Sequence, residues 1–437
     1  MTAVTVIGAG LAGCEAAHAL AKQGIDVKLF EMKPKRRSPA HKSDSLCELV
    51  CSNSLRSNKL DNAVGLLKEE LRMLGSLIME CADQTAVPAG GALAVDRQGF
   101  SALVTERIAN DPHIEIIHEE VTSVPNGPVI IATGPLTDGA LMADIEAMLG
   151  DSLHFFDAAA PIVSLESLDM SKVFRASRYE RGNDYLNCPM TRLEYFTFVR
   201  ALVEAETAEL HEFEKTKVFE GCMPVETMAK RGDMTLAYGP MKPVGLDDCK
   251  ASNGKKPFAV VQLRQDNSEG TLFNIVGFQT NLKFPEQKRV FGLIPGLENA
   301  DFIRYGVMHR NSFLQSPKHL AATYALKSRP LTFFAGQITG VEGYIESASS
   351  GMTAGIELGR LVRGFEPIDF TRKTAIGALA HYVSEYNGGS FQPMNANFGI
   401  MEQLPDAPRD KFRRYTALSE RALTEMKRII TEEELWK

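Results

Sequence analysis

No uninterrupted apolar run in this 437-residue chain is long enough to span a bilayer, and its opening residues lack a signal-peptide layout. A cytoplasmic protein with no membrane partner is the expectation. Neither a CxxC pair nor a Cys/His metal spacing occurs, and the cysteines (Cys14, Cys47, Cys51, Cys81, Cys188, Cys222, Cys249) are odd in number. That disfavours a disulfide framework and a zinc site, and it predicts free thiols. Basic charge is not in excess: a formal net charge of −7 excludes a uniformly basic nucleic-acid binder but leaves room for local basic patches. No internal repeat of solenoid length is visible. What is present, 44% hydrophobic and 24% charged residues with 35 glycines, fits an α/β protein. Its length exceeds what one hydrophobic core usually covers, so two or three packed units are expected.

The strongest local pattern stands at the start. Val4-Thr5-Val6-Ile7 is a β-branched run, Gly8-Ala9-Gly10-Leu11-Ala12-Gly13 follows, and an Ala-rich helical stretch runs from Cys14 to Gln23, with Gly24 placed to cap it. A second apolar run, Val27 to Phe30, ends in Glu31. This is the βαβ layout of a dinucleotide site. Gly8 permits the tight turn, Gly10 lets backbone approach a pyrophosphate, and Gly13 lets helix and strand pack closely. The helix N-terminus then faces phosphate, and Glu31 is positioned to accept from ribose hydroxyls. Without the upstream glycines, Glu31 would read as an ordinary strand-end acid.

The fingerprint alone does not separate NAD from FAD. Two later segments favour FAD: the apolar strand Val129 to Ile131 ending in Ala132-Thr133-Gly134-Pro135, and the strand Leu331 to Gln337 containing Gly336. After the latter come Gly340, Gly343 and a small-residue stretch, Ser347 to Gly351, that opens a helix and can aim amide donors at a flavin. The predicted fold is α/β: a Rossmann-like FAD-binding domain of the two-dinucleotide type with an inserted α+β domain and a helical C-terminal segment. Residues 1–150 form the first part of the FAD domain and 331–437 its return and helical end. Residues 151–330, with short strands such as Phe258–Leu263 and Thr271–Val276 around a polar turn, form the inserted substrate domain.

Two thiols stand out by context. Cys51 lies in the polar turn Cys51-Ser52-Asn53-Ser54, and Cys222 lies between Gly221 and Met223-Pro224, where regular structure is disfavoured. A cysteine chosen without geometry is more often a small buried hydrophobe, which is the reading for Cys14. Basic residues cluster at Lys33 to Arg37 with His41 and Lys42, a set with few acids that fits a phosphate-facing loop. A second set, Arg409 to Arg428, is interleaved with Glu and reads first as a solvated helix face. Tyr382, Tyr386, Phe391 and Phe398 are able to stack on bases, with core packing the expectation for at least half.

Five segments (Val6–Ala17, Glu48–Ser54, Phe219–Pro224, Phe333–Gly340 and Phe391–Gly399) together resemble the folate- and FAD-dependent tRNA (uracil-5-)-methyltransferase family. The first and fourth are shared with the larger glucose-inhibited-division family of tRNA-modifying flavoproteins. The resemblance spans essentially the whole chain. It implies methylation at C5 of uridine 54 in the tRNA T-loop, with 5,10-methylenetetrahydrofolate as carbon donor and FADH2, recharged by NAD(P)H, as reductant. It implies that Cys222 is the nucleophile adding to uracil C6 and that Cys51 serves on the flavin side as a base or guard. The glycine fingerprint and the two return segments place FAD against Gly8, Ala9, Gly10, Leu11, Ala12, Gly13, Glu31, Gly134, Gly336, Gln337 and Gly351. No metal and no obligate protein partner are expected. A flavin-dependent ribosomal-RNA uridine methyltransferase and a wobble-uridine modifier remain as alternatives.

Overall fold

A computed structural model describes residues 3–38, 40–150, 153–158, 160–180, 182–208, 223–246, 251, 253–306, 308–388 and 391–436. The glycine turn is built into a six-stranded sheet whose strands run, edge to edge, Ala325–Leu326, Arg329–Phe334, Val129–Ile131, Val4–Ile7, Val27–Phe30 and Ile114–Ile117. All neighbouring pairs are parallel except the first. Side chains alternate between the faces, as a pleated strand requires. Ile130 and Phe333 enter one core, while Val129, Ile131 and Phe334 enter another with Leu141 and Ile145 of helix Gly139–Leu149. The chain returns to this sheet at Ala325, six residues ahead of the expected 331, because Ala325–Leu326 pairs back on Arg329–Phe334.

Among the helices that build the first core, the opening helix Leu11–Ala21 and the return helix Tyr344–Val362 pack directly on each other. The return helix begins at Tyr344, so Gly351 lies in its interior rather than at the small-residue start predicted from sequence. Gly351, Gly355 and Gly359 follow one another a turn apart and form a bare stripe. A Cβ on Gly351 would lie 2.1 Å from the Ala12 carbonyl oxygen, and one on Gly355 would lie 2.6 Å from that of Ala16. Only hydrogen fits there. Gln23 locks the crossing, its Nε2 donating to Ala19 O at 2.9 Å and Gly355 O at 3.2 Å.

A second six-stranded sheet is wholly antiparallel, in the order Phe174–Arg175, Tyr185–Met190, Ala259–Gln265, Leu272–Ile275, Ile162–Ser164, Phe302–Arg304. The hairpin read from sequence is present: Asn267 Oδ1 accepts from the Thr271 and Leu272 amides at 3.0 Å, and Gly270 takes φ +67°. Helix Arg192–Glu204 starts on a reciprocal Thr191/Glu194 cap and buries Tyr195, Phe198 and Leu202 against Leu186, Val261 and Phe273. Cys188 belongs to this core and Cys14 and Cys81 to the first, which makes all three packing residues. The ribbon Leu153–Ala158 with Met308–Phe313 and a small sheet of Ser54–Ser57, Ala92–Val95 and Ala86–Val87 complete the strands among the described residues.

Candidate functional site

Parallel strands deliver their carboxyl ends to one side of a sheet, and a crevice opens there. Its walls come from four strand ends: Gly8, Ala9, Gly10, Leu11 and Ala12 after the first, Glu31 after the second, Thr133 to Asp138 after the third, and Gly336 and Gln337 after the fourth. Thus nine of the eleven cofactor residues expected from sequence line a single cavity. Gly13 and Gly351 do not. A Cβ on Gly13 would lie 1.7 Å from Gly8 O, so this glycine seats the opening helix on its strand, and Gly351 seats the return helix on Ala12.

The donors in this cavity suit a dinucleotide such as FAD. The opening helix has no side-chain cap and no acid in its first turn, so its N-terminal amides are available to phosphate. A Cβ on Gly10 would meet nothing within 4 Å, leaving a cradle of bare backbone on the cavity wall. At Gly8 the constraint is different: φ is +96° and a Cβ would lie 2.7 Å from Ala132 O. Glu31 is buried, with one oxygen accepting from Ala9 N at 3.1 Å and the other from Lys33 N at 3.0 Å. Each oxygen retains a lone pair for a ribose hydroxyl.

Cys51 sits at the rim, half-buried, between Val50 and the rest of its loop; Val50 and Tyr344 line the cavity, and Cys51 itself does not. Its Sγ is 3.0 Å from Tyr344 Oη, which also accepts from the Cys51 amide at 2.9 Å. Three arginines hold this loop. Arg97 donates to Leu49 O and pairs with Asp266 at 2.9 Å, Arg304 donates to Val50 O, and Arg264 reaches Ser52 Oγ at 2.7 Å and Asn53 Oδ1 at 3.1 Å. Asn53 is fully buried and donates to Val95 O at 2.9 Å and Gln265 O at 2.8 Å. Arg264, Gln265 and Arg304 belong to the antiparallel sheet, so that sheet grips the cysteine loop.

Sequence reasoning missed Tyr344 and the three arginines. Only Tyr344 carried a signal, standing directly after Gly343 in the glycine-rich return; the arginines have no mutual spacing in the chain. Cys47, which lacked distinguishing context, lines the cavity with φ +53° and its amide on Ala9 O at 3.1 Å. Burial and its neighbour Cys14 push the Cys47 thiol well up, which keeps it protonated. Cys222 and Cys249 lie outside the described residues.

The basic and aromatic readings divide. Of the Lys33–Arg37 set and its neighbours, Lys33, Arg36 and His41 line the cavity; Arg36 also pairs with Glu120 and Asp138, Arg37 pairs with Asp44, and Lys33 donates to Ser45 O. Two of those acids, Glu120 and Asp138, come from distant segments and offset part of the charge of a run that looked acid-poor. All of the C-terminal set but Arg409 lies on one helix, Lys411–Glu432, where Arg428 pairs with Glu425 and Glu432, as a solvated face does. Tyr382, Phe391 and Phe398 are buried, and Tyr386 packs on Tyr382 and Phe391, so this group is core.

Residues 3–366 match the family described as glucose inhibited division protein A. The methylenetetrahydrofolate–tRNA-(uracil-5-)-methyltransferase TrmFO of Acetivibrio thermocellus is 62% identical over 431 residues, 98% of each chain. Proteins of the same name from Bacillus licheniformis and Enterococcus faecalis are 59% and 58% identical, again over 98% of each chain. Among solved structures, GidA of Aquifex aeolicus in its form I crystal aligns with a TM-score of 0.71 at 19% identity, covering 99% of this chain and 76% of that one. That likeness shows the fold.

Proposed function

Since this chain belongs to the glucose inhibited division protein A family, and within it to the folate-dependent tRNA (uracil-5-)-methyltransferases, we propose that it methylates C5 of uridine 54 in the tRNA T-loop. The carbon donor is 5,10-methylenetetrahydrofolate and the electrons come from NAD(P)H. The observation that carries the reading is the identity of 58–62% to relatives of that name over nearly the whole chain. A thiol beside a cavity built for a dinucleotide supports it.

FAD bound between the Gly8–Ala12 turn, Glu31, Gly134, Gly336 and Gln337 would supply the redox chemistry, passing on the reducing equivalents that turn a transferred methylene into methyl. The remaining steps fall to side chains. Uracil C5 is a weak nucleophile, and addition of the Cys222 thiolate at C6 puts the displaced electron pair into an enolate whose C5 attacks the one-carbon unit. C5 must then lose its proton to a base, a role we assign to Cys51. Elimination of Cys222 from C6 restores the ring.

The test is to incubate the purified protein with unmodified tRNA, methylenetetrahydrofolate and NAD(P)H, and to map new 5-methyluridine. Label at position 54 that requires folate supports the proposal. Folate-dependent label confined to another nucleotide, or to ribosomal RNA, would overturn the substrate, and absence of label with all components present would overturn the activity.

A further inference from the structure

Tyr344 joins two places that the chain builds separately. It lines the dinucleotide cavity from the first turn of the return helix, and its hydroxyl reaches the thiol of a loop nearly three hundred residues away in sequence. We propose that Tyr344 is the positioning residue of the Cys51 thiol, its phenol donating a hydrogen bond to Cys51 Sγ and thereby holding that sulfur as the site's proton acceptor. The use made of the sulfur rests on the function proposed above; the hydrogen bond does not.

The direction of the bond follows from counting partners. Tyr344 Oη lies 2.9 Å from the Cys51 amide nitrogen and 3.3 Å from that of Ser52, and both amides only donate. They occupy the oxygen's two lone pairs, which leaves the phenolic hydrogen for Sγ at 3.0 Å. Burial, and then the charge of Cys51, push the Tyr344 phenol well above its ordinary range, so the hydrogen stays on oxygen. A donor held to sulfur favours the thiolate over the thiol.

The surrounding charge acts in the same direction. Arg97 from helix Arg97–Ala109, with Arg264 and Arg304 from the antiparallel sheet, converge on residues 49–53. The anions facing them are Asp266, paired with Arg97, and Glu48, whose oxygens accept from the Lys42 and Ser43 amides. Among the described residues, these three cations against two anions leave the loop electropositive. A proton leaving the substrate carbon goes to Sγ, the C–H electron pair remains on the ring, and the product is a neutral thiol. No further reactant is required.

The experiment measures alkylation of Cys51 by iodoacetamide as a function of pH, resolved by mass spectrometry of the Cys51 peptide, on full-length flavin-replete protein. The wild-type midpoint is expected below the ordinary thiol value of about 8.5. Tyr344→Phe, and separately Arg304→Gln, are expected to move it upward; because only the thiolate reacts, raising the midpoint by about one on the pH scale slows alkylation below it about tenfold. A wild-type midpoint at or above the ordinary value overturns the proposal without reference to any variant, as do superimposable wild-type and Tyr344→Phe profiles. Neither RNA nor folate is present, so a failed methylation assay and a failed titration are separate results.

Discussion

Alanine at two glycines of the fold should give opposite results, because one glycine faces empty space and the other a carbonyl. Gly10 has φ −79° and ψ −173°, a conformation alanine adopts freely, and its Cβ would meet nothing within 4 Å. Such a change restricts the unfolded chain and stabilises by about 0.4–1 kcal/mol. The methyl, however, enters the cradle where backbone must approach a pyrophosphate. In Gly351→Ala the new Cβ lies 2.1 Å from Ala12 O, where an ordinary contact is at least 3.4 Å, so the helices must part by about an ångström. Overpacking of that size costs up to about 3 kcal/mol. Helix propensity returns about 1 kcal/mol, for a net loss of about 2 kcal/mol. Thermal melts of the flavin-free variants, with flavin absorbance per protein after reconstitution, read both effects. Gly10→Ala should melt above wild type and bind flavin poorly; Gly351→Ala should melt below it. The assignment of cavity and packing glycines is refuted if Gly10→Ala retains stoichiometric flavin at wild-type affinity or if Gly351→Ala melts no lower than wild type.

Cys222→Ala should keep its yellow flavin yet form no 5-methyluridine, as measured by nucleoside analysis; undiminished methylation would remove Cys222 from the mechanism. Asn53→Ala leaves the Val95 and Gln265 carbonyls and the Arg264 Nε without their buried partner, and should cost about 1–3 kcal/mol in melting experiments. Glu357 is buried and accepts from the Ile368 amide at 3.1 Å, and desolvation pushes its carboxyl up to about 8. Its folded value thus exceeds the unfolded value of about 4.3, so stability is lost as pH rises between the two. Glu357→Gln should therefore gain on wild type in melts compared at about pH 5 and about pH 8, and an unchanged difference would contradict this.

Local chemistry was legible where one short segment carries a whole device. The turn at Gly8–Gly13, the acid at Glu31, the strand ends at Gly134 and Gly336, and the Asn267–Gly270 hairpin each follow from backbone demands confined to a few adjacent residues. Two features hidden in the sequence share one cause. The Lys33–Arg37 run looked acid-poor because Glu120 and Asp138 approach from segments some eighty to a hundred residues away, and the packing role of Gly351 was hidden because Ala12, the residue it packs on, comes from the other end of the chain.

By itself, then, the order of residues determined the parallel sheet and the glycine cradle, since strand periodicity and positive-φ turns are written in contiguous residues, and it singled out Cys51 and Cys222 as candidates by their local context. The tertiary structure alone decided which glycines face ligand and which face helix, and it alone set Tyr344 and Arg97, Arg264 and Arg304 around Cys51. Those contacts join residues up to 293 positions apart. No spacing rule reaches that far, because what brings such groups together is the burial of two separate cores on either side of one loop.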